Sequence, residues 1–287
     1  MPTVAKAVFC RFLLQNGPLY DKMGMSNFLE KKGGEKHVER VCKAERRKWL
    51  CPRNFLILEA LLFGLFLCSD FTGRTLLFSS AAWKFFVIVA AFCYAAMDFA
   101  FAKEEDRLSD RRLFLLLGMA FTLVSDVLLL DLVQHYTVGV CTFFAAQIFH
   151  ALEIPRSKRR AIVSFSVRFG TTLCALLILG FLHALTPLYV AVSFYGPQLL
   201  GNLAEHLWGS FRFSEKEERF RSILLAVAFA LFLACDACVG LSHLGISGVG
   251  QWIWIFYAPS QALIAVSCAS FGGKNKAGEA IYREIES

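Results

Sequence analysis

Two aspartates stand where aspartate is least at home. Asp126 lies inside the apolar run 113–131 and Asp236 inside the run 222–243. An ionisable side chain in hydrocarbon costs roughly 2.5–3.5 kcal/mol on insertion scales, so both are candidates for function. Two carboxyl groups together can do general acid and base chemistry. One delivers a proton, and the other stabilises a developing cation and activates water. A carboxyl in an apolar layer favours its neutral form unless a cation pairs with it. Lys84, at the edge of the run 83–102, is the candidate cation. A lysine reaching for lipid headgroups is the plainer reading of the same residue.

Four amides share these runs: Gln147, Gln198, Asn202 and Gln261. They can line a pocket or simply join helices by hydrogen bonds. Pro197 predicts a kink in the run 186–209. Glu59, Asp98, Glu153 and Glu205 lie near the ends of runs, where solvation accounts for them, and Arg168 is within reach of Glu205. Other chemistries find little support. The histidines show no HxxxH or HExxH spacing, so no metal centre is expected. There is neither a GxSxG elbow nor a P-loop, and no cofactor is implied. The cysteines do not form a disulfide framework: Cys68, Cys93, Cys141, Cys174, Cys235, Cys238 and Cys268 fall in apolar runs, where a thiol behaves as a small hydrophobe.

The elements that must position these residues follow from composition. Of 287 residues, 56% are hydrophobic and 18% charged. A soluble domain has about 25% charged residues, so this chain is too apolar for a surface facing water. The runs 54–69, 83–102, 113–131, 136–153, 161–184, 186–209, 222–243 and 250–271 approach the ~20 residues that cross a bilayer as helix. The chain therefore reads as all-α, a polytopic membrane helical bundle of eight transmembrane helices. Residues 1–53 form a basic N-terminal region, 54–271 the eight-helix domain and 272–287 a tail.

The net charge is +7. It sits in alternate loops: Arg111 and Arg112; Arg156, Lys158, Arg159 and Arg160; Arg212, Lys216, Arg219 and Arg221. The loops after runs three, five and seven contain no Lys or Arg. Alternation of this kind follows the positive-inside rule, with both termini cytoplasmic. It also makes a nucleic-acid partner unnecessary as an explanation of the charge.

Runs three and seven echo each other through Ala120–Asp126 and Ala230–Asp236, as do runs four and eight through Phe144–Gln147 and Tyr257–Gln261. The echo allows two four-helix halves related by an axis along the membrane normal. It also sets the two aspartates at one depth, ~20 Å from the cytoplasmic ends of their runs at 1.5 Å per residue.

At these residues the sequence resembles the lysoplasmalogenase family of integral membrane proteins, the YhhN type. The matching motifs are Lys84, Ser125-Asp126-Val127-Leu128-Leu129, Ala146-Gln147-Ile148-Phe149-His150, Cys235-Asp236-Ala237-Cys238, and Tyr257 with Gln261, within residues 54–271. Phe85 stands where the family has proline, Gln147 where it has histidine, and Cys235-Asp236-Ala237 where it has Ser-Asp-Ser. The resemblance implies hydrolysis of the vinyl-ether bond of a lysophospholipid to a fatty aldehyde and a glycerophospho-headgroup. Asp126 and Asp236 would be catalytic, and Lys84, Gln147, Tyr257, Gln261, Gln198 and Asn202 substrate-binding. Its implied setting is the endoplasmic reticulum, among membrane lipids, with a homodimer left open. Two other functions suit the same residues: a lipid or small-molecule transporter, and a lipid-binding homologue without catalysis.

Overall fold

The computed structural model describes residues 51–73, 77–101, 110–130 and 136–269. The basic region up to residue 50, loop 102–109, His135 and the tail 272–287 lie outside them. Within the described residues the architecture is eight α-helices: α1 Pro52–Thr72, α2 Ser80–Phe101, α3 Asp110–Leu130, α4 Tyr136–Leu152, α5 Lys158–Phe181, α6 Pro187–Arg212, α7 Lys216–His243 and α8 Gly250–Ala269. Each corresponds to one of the predicted runs, displaced by a few residues at its ends.

Local sequence sets these ends. Thr186 caps α6 by accepting from the Tyr189 N–H at 3.2 Å, and Pro187 fills the first helical position, where a missing N–H is harmless. Helix α7 stops at Gly245, whose φ of 81° is the left-handed turn that glycine adopts without strain.

Among the described residues, five helices are long and apolar enough by length and composition to cross a membrane: α1, α2, α3, α5 and α7. The other three expected spans differ for a physical reason: α4 has 17 described residues, while α6 buries Gln198, Asn202 and His206 and α8 buries Ser260 and Gln261. Their polar residues face the bundle interior and lower the apolarity of the helix as a whole. The outward surface is apolar instead. Val163, Val167, Phe169, Leu177 and Phe181 are exposed along α5, an apolar band of the kind a membrane helix presents to lipid. The fold is a helical membrane bundle.

Helix packing runs α2–α3–α4–α6–α7–α8 and returns from α8 to α2, with α5 lying against α6. Arg111 of α3, Arg156 after α4, Arg159 of α5, Arg212 of α6 and Arg221 of α7 surround one cavity. The arginines therefore collect at one end of the bundle. At the opposite end, the start of α4 meets the end of α7 where Tyr136 Oη lies 3.1 Å from His243 Nε2.

One close approach depends on glycine. A Cβ on Gly201 would lie 2.5 Å from Arg168 Nε and 2.6 Å from Cζ. Gly201→Ala is expected to push Arg168 off its partners and destabilise the bundle by about 1–3 kcal/mol, as overpacking does. Gly196, one turn earlier on the same helix, has open space beside it. Gly196→Ala is expected to be neutral or slightly stabilising, because alanine is the better helix former. Thermal unfolding of the two detergent-purified variants checks the contrast, and equal midpoints would remove the argument.

Candidate active site

The two aspartates lie toward the end of the bundle away from the arginines. Asp126 on α3 is buried, and Tyr257 on α8 donates to its carboxylate, with Oη 2.8 Å from Oδ1 and 2.7 Å from Oδ2. Asp236 on α7 is partly exposed and accepts from the Tyr195 hydroxyl of α6 at 2.5 Å. Each acid is thus oriented by a phenol from a neighbouring helix. Aromatic rings link the two pairs. Phe143 of α4 contacts Tyr195 at 6.1 Å and Tyr257 at 6.4 Å between centroids, and Phe232 stacks on Tyr257 at 5.3 Å.

The internal echo does not extend to these partners. Equivalent halves would give Asp236 a partner from α4, where the counterpart of Tyr257 is Phe144. A phenyl ring cannot donate a hydrogen bond, and Asp236 takes Tyr195 of α6 instead. The two acids therefore have chemically similar but structurally unrelated supports.

Lys84 has a different partner from the one expected. Its Nζ pairs with Asp70 of α1 at 2.7 Å and lies 5.7 Å from the Phe66 ring centroid and 5.6 Å from that of Trp254. Asp70 also accepts from the Ser80 hydroxyl. The nearer carboxylate takes the ammonium because Asp70 and Lys84 stand at the same end of adjoining helices. Trp254 in turn meets Tyr257 edge to face at 5.4 Å, so one aromatic residue separates Lys84 from the support of Asp126.

The four amides divide. Asn202 Nδ2 donates to the Gln147 backbone carbonyl and to Gln147 Oε1, both at 2.9 Å. Arg168 Nη1 donates to Asn202 Oδ1 at 2.8 Å and to the Gln198 carbonyl at 3.1 Å, while its Nη2 pairs with Glu205 at 2.7 Å. These contacts tie α4, α5 and α6 together, as the expected Arg168–Glu205 pair suggested. Gln198 sits one turn from Tyr195 along α6, so this network adjoins the support of Asp236. Gln261 is buried one turn from Tyr257 and bonds Ser260 Oγ at 3.4 Å.

Closer to the arginines, His206 stacks on Phe229 at 5.4 Å and His150 meets the same ring edge-on at 5.5 Å. Beyond them Arg221 pairs with Glu153, both fully buried. Glu59, Asp98 and Glu153 were expected to be solvated, yet all three are buried. For two of them the reason is pairing: Arg112 lies 3.4 Å from Asp98 and Arg221 contacts Glu153, so neither needs water to hold its charge. Among the described residues no cluster of His, Cys, Asp or Glu is arranged to hold a metal ion.

Sequence reasoning missed Tyr195, Asp70 and the His150–His206 pair. The signal for two of these lay on α6. Tyr195, Gln198, Asn202 and His206 recur at three- and four-residue spacing, which places them on one helical face. Read as a stripe rather than singly, they point Tyr195 toward the same interior as the amides.

A bundle with an apolar rim, a polar axis and two tyrosine-bonded acids defines a polytopic helical membrane protein. The model of the YhhN family matches residues 79–268, more than half of the chain and all of α2–α8 up to Cys268, and the chain belongs to that family. None of the curated proteins and none of the solved structures compared with it matches.

Proposed function

We propose that the protein is a membrane-embedded hydrolase that cleaves the vinyl-ether bond of lysoplasmalogens. The observation that carries this reading is the pair of acids on α3 and α7, each held inside the bundle by a tyrosine hydroxyl. Membership of the YhhN family supports it. Cleavage begins when a carboxylic acid protonates the β-carbon of the vinyl ether, leaving an oxocarbenium ion. The other carboxylate stabilises that cation and removes a proton from the attacking water. The resulting hemiacetal collapses to a fatty aldehyde and the free hydroxyl of the glycerophospho-headgroup, and the proton returns to the first acid. General acid–base groups of this kind contribute about 10²–10⁴-fold each.

In this reading Tyr257 and Tyr195 fix the aim of the carboxyl groups. Gln261 and Gln147 supply polar contacts one turn further in, and Lys84 meets the substrate phosphate. The single tail lies among the phenylalanines and arrives laterally from lipid. The positive-inside rule directs the arginine-rich end to the cytoplasm.

The test is a lipid panel. Purified protein in neutral nanodiscs is given a lysoplasmalogen, its saturated-ether counterpart and its acyl counterpart, and aldehyde is measured. Aldehyde from the vinyl ether alone is expected. Transport of the lipid with no product would replace the hydrolase by a carrier, and retained lipid with neither would leave a binding protein.

A further inference from the structure

The arginine-rich end contains a cavity of about 620 Å³, lined by residues from α3, α5, α6 and α7 and by the connection 154–157. Six arginines border it: Arg111, Arg156, Arg159, Arg160, Arg212 and Arg221. Three of these have carboxylate partners. Arg111 pairs with Glu218 through two bonds of 3.0 Å, Arg156 with Glu205 at 2.8 Å, and Arg221 with Glu153. Among the described residues no carboxylate lies within ion-pair distance of Arg159, Arg160 or Arg212. The wall of the cavity is therefore left with three uncompensated guanidinium groups, the side chain best suited to grip a phosphate by two bonds at once.

Helix α5 begins on this cavity. Its first turn contains Lys158, Arg159 and Arg160 and no acidic residue, and Ser157 at its N-cap makes no side-chain hydrogen bond to it. Cations at the positive end of a helix are unfavourably placed, and the turn's N–H groups call for an acceptor. A bound anion would relieve both. His206 lines the cavity as well. It is buried, and its Nε2 has no hydrogen-bond partner, since Glu153 Oε1 is 3.6 Å away. The positive-inside rule accounts for basic residues at this end, but not for a cavity walled by arginines with an uncapped helix start and a buried imidazole whose Nε2 lacks a hydrogen bond.

We propose that this cavity binds a phosphate-bearing anion, at a second ligand site separate from the acid pair. Fifteen residues separate Arg111 from Asp126 on α3 and Arg221 from Asp236 on α7, a rise of about 22 Å in each case. The phosphorus of a lysoplasmalogen is only five covalent bonds from its vinyl-ether oxygen. One substrate molecule cannot span both places, so the cavity serves another ligand. The phosphate can belong to a lipid headgroup, whose chains would follow the apolar wall of Val163, Trp208 and Phe213, or to a soluble phosphate ester.

The experiment uses the full chain in neutral phosphatidylcholine nanodiscs at fixed ionic strength in chloride. One arm adds glycerol phosphate and measures binding directly. The other dopes the nanodiscs with phosphatidic acid and follows thermal stability. Binding or stabilisation in at least one arm is expected, and which arm responds identifies the source of the phosphate. The triple variant Arg159→Gln, Arg160→Gln, Arg212→Gln is expected to weaken the response at least tenfold. A control triple, Arg53→Gln, Lys216→Gln, Arg219→Gln, removes the same charge from residues outside the cavity lining and outside the first turn of α5 and is expected to change it less than threefold. All six positions are exposed or half-exposed, so the fold should survive, and an unchanged melting temperature without ligand verifies that. No response of the wild-type protein in either arm, or equal loss in the two triples, overturns the proposal.

Discussion

Replacing Asp126 or Asp236 by asparagine is expected to reduce aldehyde release at least a hundredfold while leaving the folded protein intact. Asparagine has the shape of aspartate and keeps a carbonyl oxygen, so Tyr257 and Tyr195 retain an acceptor. What is lost is the capacity to take up and release a proton, the part that contributes about 10²–10⁴ in rate. Tyr257→Phe and Tyr195→Phe should act more mildly. Each removes one hydrogen bond to a carboxyl, and a reduction of about tenfold follows from the 1.5–3 kcal/mol that such a bond is worth, partly offset by the side chain's packing. The measurement is turnover of lysoplasmalogen by the four variants, with size-exclusion profiles and melting temperatures as the check on folding. If both asparagine variants keep near-normal turnover, the acids are structural and the hydrolase reading fails with them.

How much of this was legible beforehand depends on the physical signal each feature leaves in the chain. The eight helices left a strong one, since a helix that meets lipid must be apolar over its length. The acids were conspicuous because aspartate is rare in such runs. Of their tyrosines, Tyr257 stood out only through the resemblance, and Tyr195 was not seen, because tyrosine is unremarkable in a membrane helix and only its spacing with Gln198, Asn202 and His206 marks it. Lys84 was matched to the wrong acid for a different reason. Depth along the membrane can be estimated from residue counts, but not which side chains meet at that depth, and Lys84 and Ser80 at the start of α2 both meet Asp70 near the end of α1. The inner ion pairs were misjudged for the opposite reason. Glu153 lies at a helix end, where water is the default partner, and the burial of Arg221 beside it follows from side chains of α4 and α7 meeting across the bundle, which spacing along the chain does not reveal.

That convergence supports a second large effect. Glu153 follows the last residue of α4, and its backbone carbonyl accepts from Arg111 Nε of α3 at 3.1 Å. Its side chain pairs with Arg221 of α7, and side-chain exposure is 1% and 2% for the two partners. Removing one member of such a pair leaves the other charge buried without its carboxylate or guanidinium counterpart. Glu153→Leu is therefore expected to destabilise the bundle by about 3–5 kcal/mol, against total stabilities of about 5–15 kcal/mol. The pair formed by Arg111 and Glu218 is a natural comparison, because its side chains are 28% and 20% exposed and water shares their charge. Glu218→Gln should lose only about 1 kcal/mol or less. The double variant Glu153→Leu, Arg221→Met removes both charges and replaces them with apolar volume, which is often close to neutral. It should recover most of what the single variant loses. Denaturant titration of the detergent-solubilised proteins, followed by tryptophan fluorescence, orders the three variants. A double variant no more stable than Glu153→Leu would mean that packing, rather than charge, holds α4 against α7 at this end.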